Sequence, residues 1–106
     1  MKDLNVYLLD EWLSLSKGNL LLLDVREKWE FEICSIKDSC NIPLGILHES
    51  ISSFDKVMKI ICICHHGIRS KQACYILNMN GFSNVFNLEG GIDQWAKVIQ
   101  KSMNRY

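Results

Sequence analysis

Three short and nearly unbroken apolar runs constrain this chain more than anything else: LLLLDV at residues 20–25, KIICIC at 59–64 and NVFNL at 84–88. Each is too short for a typical helix and lacks the alternation of a strand with one wet face. A strand covered on both faces reads this way, because no position along it meets water. A shorter candidate, CNIP at 40–43, is stopped by Pro43, the only proline.

Helical periodicity fills the gaps between the runs. Residues 8–16 place Leu9, Trp12, Leu13 and Leu15 near one face, and Gly18 ends that stretch. Residues 29–33 allow a short helix, and residues 44–52 carry Leu44, Leu47 and Ile51 at helical spacing. Residues 70–80 bring Ala73, Cys74, Ile76 and Leu77 together before the Asn80-Gly81 stop, and residues 92–103 do the same with Trp95, Ala96, Val98 and Ile99. Strands alternating with helices of this length predict an α/β domain of three layers, a central, mostly parallel sheet with helices on both faces. At 106 residues, the whole of 1–106 reads as a single domain.

Composition narrows the function. Twelve Lys and Arg balance twelve Asp and Glu, which removes the electrostatic drive of a general nucleic-acid or anionic-lipid binder. The longest apolar stretches, around residues 19–23 and 60–64, fall far short of the ~20 residues that cross a bilayer. Asp3, Asp10 and Glu11 interrupt any early secretory run. The expectation is a soluble cytoplasmic monomer without nucleic-acid or membrane partners. Five cysteines cannot all pair, and a reducing compartment disfavours a disulfide framework. Thiol reactivity, not cross-linking, is the chemistry to look for.

Parallel α/β sheets bind ligands at the carboxyl ends of their strands. Two strand ends are polar here, DVRE at 24–27 and CHHGIRS at 64–70. In the second, Cys64 closes an apolar strand and a helix begins near Ser70. The chain must turn sharply between them, and Gly67 supplies the freedom to do so. Backbone N–H groups of His65, His66, Gly67, Ile68, Arg69 and Ser70 can then converge on the Cys64 sulfur, joined by the orphan donors of the helix's first turn. Such a cradle favours thiolate over thiol and holds the anionic end of a substrate. Residues 56–88 contain four bases, Lys56, Lys59, Arg69 and Lys71, and no acid. His65 and His66 are expected to contribute backbone groups. The plainer alternative makes Cys64 a buried strand-end thiol and Arg69 a surface residue.

These stretches are similar to the rhodanese-like sulfurtransferase domain over nearly the whole chain. The matching segments are LLLLDVREKWEFE at 20–32, SCNIPLG at 39–45, CHHGIRS at 64–70 and GFSNVFNLEGGIDQWA at 81–96, in that order. The resemblance implies an α/β fold around a parallel sheet, with a six-residue active-site loop at 64–69 opened by the catalytic cysteine, Cys64. It implies that Cys64 takes a sulfane sulfur from a donor such as thiosulfate, holds it as a persulfide and passes it to a thiol or cyanide acceptor. No metal or organic cofactor is needed for that chemistry. An acceptor protein is compatible with it, as is a non-turnover sulfur-relay or binding module. Asp24 and Arg26 match the family's DVR element and read best as a buried pair ordering the strand end. Gly90-Gly91 reads as close backbone packing at a helix start.

Two enzyme rivals share parts of this pattern. Cysteine-dependent phosphatases and arsenate reductases use the same cradle logic with five residues between Cys and Arg, whereas four stand here. The smaller ring suits one sulfur atom better than a tetrahedral phosphate. A metal site drawn from Cys62, Cys64, His65 and His66 lacks the usual paired ligand spacings. Cys62 reads instead as a core residue one step deeper on the same strand face, and Cys74 as core on the following helix. Cys34 and Asp38 stand where the family commonly has glycine, and Ser35 where it has histidine, which puts the local turn geometry in question. Cys34 and Cys40 have no assigned role; a disulfide with oxidised Cys64 is the functional alternative for them.

Overall fold

The structure, a computed structural model, describes residues 2–15 and 19–106. In chain order the elements are β1 (Lys2–Leu4), α1 (Val6–Leu15), β2 (Leu20–Asp24), α2 (Lys28–Ile33), β3 (Cys40–Asn41), α3 (Leu47–Ser50), β4 (Lys59–Ile63), α4 (Ile68–Met79), β5 (Val85–Leu88) and α5 (Gly91–Val98). Single 3-10 turns at Leu44–Ile46 and Ile51–Ser53 flank α3. The five strands form one parallel sheet in the order β1-β5-β4-β2-β3.

Period-two alternation in β4 sorts the core into two layers. Ile60 and Cys62 join Leu23 and Val85 under α3 and α4, where Leu47, Ala73, Cys74 and Leu77 close the layer. Ile61 and Ile63 join Leu22 and Leu88 under α1 and α5, where Leu9, Ile92 and Trp95 close the other. Both faces of the central strands are covered, which is why the sequence shows continuous apolar runs there and not alternation. The expected architecture, a parallel sheet flanked by helices, is the one observed.

Several boundaries differ for identifiable reasons. Strand β1 was not anticipated: it has only three residues, two of them charged, and it extends the sheet edge by pairing Lys2, Asp3 and Leu4 with Phe86, Asn87 and Leu88. The helix expected at 8–16 begins at Val6, after the Asn5 side chain accepts the Leu8 N–H at 2.8 Å as an N-cap. Its inward face is Val6, Leu9 and Trp12; Leu15 is exposed, because nine residues at 100° each carry it half a turn round from Val6. Ser16 and Gly18, expected to close that helix, lie outside the described residues. The segment 44–52 breaks into two 3-10 turns around one short helix while keeping Leu47 and Ile51 buried. The last helix stops at Val98, where Ile99 and Gln100 both donate to the Trp95 carbonyl and the chain turns away.

Candidate active site

Cys64 is the first residue beyond β4, at the carboxyl edge of the sheet. Two backbone bonds fix the loop that follows. Ile92 N–H donates to the Cys64 carbonyl at 2.8 Å, and Asp93 N–H donates to the His65 carbonyl at 3.1 Å. Two of the orphan N–H groups of α5's first turn are thereby spent on the loop. Gly91 makes this approach possible. A Cβ there would lie 2.4 Å from the His65 carbonyl oxygen and 2.5 Å from that of Cys64, and the residue also has φ of +62°. The close packing read from Gly90-Gly91 is thus a direct backbone dock.

Gly67 then reverses the chain with φ of +109° and starts α4. Its N–H points at the Cys64 sulfur, 3.0 Å away, and the Ser70 hydroxyl lies 3.3 Å from the same atom. Cys64, Gly67 and Ser70 are all buried. The loop therefore supplies one backbone donor and one hydroxyl to a thiol sealed under the start of α4. Ser70 in turn donates to the Asn87 side-chain oxygen.

The other anticipated residues surround this core at different distances from the sulfur. Ile68 presents its side chain to solvent, 74% exposed. Arg69 turns to Glu30 of α2 and donates twice to its carboxylate, at 2.6 and 2.7 Å. The His65 ring is half-buried and stacks between His66 and Tyr106, both at 4.0 Å between centroids. Burial, and then the neighbouring His66, push the His65 ring below its ordinary range. The His66 ring is exposed, 3.8 Å from the Asp93 carboxylate.

Space supplies the acids that the local sequence lacks. Glu30 is buried, and the Arg69 guanidinium, helped by the Tyr106 hydroxyl and the Glu27 N–H, holds its carboxyl down to about 2 against the opposing effect of burial. The same phenol accepts from Arg26 at 3.0 Å and donates to Glu30 at 2.7 Å. Burial pushes the phenol up to about 12, with the Glu30 carboxylate adding to that and Arg26 opposing it. Arg26 is itself fully buried, paired with Asp24 at 2.7 Å and donating to the carbonyls of Glu30 and Cys34. The Asp24–Arg26 element thus orders the strand end, as expected.

Four partners of the site were not anticipated: Glu30, Asn87, Asp93 and Tyr106. Asn87 had a signal. It follows Val85 by two residues on β5, so alternation puts an amide in an apolar layer, where it must have polar partners. The thiols sort themselves: Cys62 is buried, and the neighbouring Cys74 thiol together with burial raises it well above the ordinary thiol range, as for a core residue. Cys34 packs at the edge of the α1/α5 layer and its sulfur lies 3.8 Å from Arg26 Nη1. Asp38 adopts φ of +66°, the left-handed turn that glycine commonly serves, while Cys34 is simply extended at φ of −161°. His65, His66 and Asp93 bring possible metal-ligand atoms within 4.8 Å of one another. Arg105 already occupies Asp93 at 3.0 Å, and the stacked imidazoles hold their ring-plane lone pairs in near-parallel planes, unlike converging ligands.

Residues 9–98 match the profile of the Rhodanese-like domain. A protein named sulfurtransferase from Allochromatium vinosum is 34% identical over 79 residues, covering 74% of each chain. The thiosulfate sulfurtransferase GlpE of Coxiella burnetii is 29% identical over 87 residues, covering 82% of this chain and 81% of its own. The crystal structure of a rhodanese-related protein from Thermoplasma volcanium superposes with a TM-score of 0.82 at 34% identity, covering 92% of both chains. The chain also matches the maize adenylyltransferase and sulfurtransferase MOCS3-2 at 32% identity, but spans only about a fifth (19%) of that protein's length.

Proposed function

The chain belongs to the rhodanese-like domain family, and from that premise we propose that it transfers a sulfane sulfur through a persulfide on Cys64. The observation that carries this reading is the Cys64 sulfur at the carboxyl edge of the sheet, met by the Gly67 N–H at 3.0 Å. The Cys64 thiolate attacks the outer sulfur of a donor such as thiosulfate. A new S–S bond forms, the donor's S–S bond breaks, and sulfite leaves with the electron pair. An acceptor thiolate or cyanide then attacks the terminal sulfur and returns Cys64 as thiolate, a two-step covalent transfer. The Gly67 N–H stabilises the sulfur anion much as an oxyanion-hole donor stabilises oxygen.

Arg69 has a divided role in this reading. Its two terminal nitrogens are held by Glu30, which fastens the end of the loop to α2. Its Nε–H remains for the anionic end of a donor. A thiosulfate dianion therefore meets a largely neutralised pair, not a free cation. The names of the relatives support the assignment to sulfur transfer. Among the described residues no helix is long and apolar enough to cross a membrane. The five free thiols suit a reducing compartment such as the cytoplasm.

The test is intact-mass measurement after mixing with thiosulfate. The expected result is a gain of one sulfur atom, reversed by added thiol and absent in Cys64→Ser. Cys62→Ser and Cys74→Ser retain it. Sulfur loading that persists in Cys64→Ser overturns the mechanism.

A further inference from the structure

Behind the Cys64 sulfur runs a polar chain that crosses an otherwise apolar layer. The Cys64 sulfur contacts the Ser70 hydroxyl at 3.3 Å, Ser70 bonds to Asn87 Oδ1, and Asn87 Nδ2 donates to the Asp3 carboxylate at 3.1 Å. Ser70 and Asn87 are buried, at 0% and 1% exposure, while Asp3 is exposed on the edge strand. Sheet register builds the outer link, since Asp3 and Asn87 are direct partners across β1 and β5. A cavity of about 120 Å³ bordered by Asp3, Gly67, Lys71 and Asn87 lies at this outer end of the chain.

Donor and acceptor counting gives the chain a direction. A carboxylate only accepts, so the Asn87 amino group must face Asp3 and the Asn87 carbonyl must face Ser70. A carbonyl also only accepts, so the single Ser70 proton goes to Asn87. What Ser70 then offers Cys64 is a lone pair. That suits an S–H and opposes a thiolate, which gains a hydrogen bond from Ser70 only if the hydroxyl rotates and leaves a buried carbonyl unpaired. We infer that Asp3 and Asn87 are positioning residues that set the Ser70 hydroxyl to accept from Cys64, holding the enzyme's sulfur as a thiol before donor binds. The inference rests on the reading of Cys64 as the site's nucleophile. Alkylation reports on that thiol directly, so failure of sulfur transfer is seen separately.

The other charged and titratable groups around Cys64 are the mutually paired Arg69 and Glu30, the thiols Cys62 and Cys74, the His65 ring, and His66, Lys71 and Glu89 at the cavity. Because any of them adds a field, the test is a double-mutant cycle that cancels fields common to both backgrounds. Iodoacetamide modification of the Cys64 peptide is followed by mass spectrometry across pH. In Asp3→Ala the amide is free to turn its amino group toward Ser70, and the Ser70 proton is released to the sulfur. The pH midpoint of alkylation then falls by about half to one unit, which is roughly three- to tenfold faster reaction below the midpoint. In the Ser70→Ala background Asp3→Ala produces no such extra fall. Asn87→Leu, which removes the amide in the Ser70-containing protein, lowers the midpoint at least as far. An equal shift in both backgrounds, no shift, an upward shift, or an unmoved midpoint in Asn87→Leu overturns the inference.

Discussion

The two ends of the Cys64 loop are secured in opposite ways. The first end, at residues 64 and 65, docks backbone against backbone: two carbonyls meet two N–H groups of α5 across Gly91. The far end, at Arg69 in the first turn of α4, is tied to the rest of the site by side chains, through Glu30 and the Tyr106 hydroxyl to Arg26. A backbone dock contains nothing that titrates and leaves no room for a Cβ. A side-chain clamp is responsive to pH and can be loosened one group at a time. The end nearest the sulfur has the rigid kind of fastening, and the end facing solvent has the adjustable kind.

The largest effect that can break this contrast is Gly91→Ala. The new Cβ meets two carbonyl oxygens of the loop and the residue must hold φ of +62°, so either α5 or the loop moves. The expected loss is about 3 kcal/mol or more of stability, together with loss of sulfur loading on Cys64. Chemical denaturation and intact-mass measurement read the two outcomes. A well-folded Gly91→Ala with full loading would show that the first end is not rigid.

Glu30→Gln comes next and attacks the adjustable end. Arg69 keeps a neutral partner and loses the bidentate, charge-assisted one. A loss of about 2 kcal/mol at pH 7 is expected, with loading on Cys64 weakened but retained. The sign with pH follows from the lowered carboxyl: folded Glu30 sits at about 2 against an ordinary 4.5. Its contribution is complete above the ordinary value and is lost as pH falls from there toward about 2. Denaturation curves at a series of pH values should therefore show an acid limb in the native protein that is flattened in Glu30→Gln. An unchanged limb would remove Glu30 from the clamp.

Tyr106→Phe should be smaller, about 1 kcal/mol, because the ring keeps its stack on His65 and only the bridge between Arg26 and Glu30 is lost. Glu30 stays paired with Arg69, so the acid limb persists. A loss as large as that of Glu30→Gln would make the phenol, and not the carboxylate, the centre of the clamp.

The same contrast explains what the sequence made legible. The sheet could be read because strands covered on both faces leave unbroken apolar runs, and the loop from Cys64 to Ser70 could be read because its residues are contiguous. The backbone dock was half legible, as Gly90-Gly91 marks close approach without naming what approaches. The clamp was invisible: Glu30 and Tyr106 reach Arg69 and Arg26 from distant parts of the chain, and their side chains look like ordinary surface residues in one dimension. The basic stretch around Cys64 therefore looked unopposed when, in space, Glu30 answers Arg69 and Asp93 stands beside His66. Strand β1 was missed for a related reason, since its meaning lies in pairing with β5 and not in its own three residues.

Asp38 gives the smallest and most discriminating test, because it separates the two demands that coincide at Gly91. It shares the positive φ, +66° against +62°, and occupies a turn where glycine is common in the family. Aspartate visits this region at modest strain because its short side chain can bond locally. Glycine would relieve that strain but would also loosen the unfolded chain, and the two effects oppose each other. Asp38→Gly should therefore shift stability by no more than about 1 kcal/mol, measured from denaturation midpoints, and leave Cys64 loading unchanged. If it stabilises by well over that amount, backbone strain alone is the expensive element, and the intolerance expected at Gly91 owes less to its contact with the loop. A small shift here beside a large one there assigns the rigidity of the first end to the backbone contact itself.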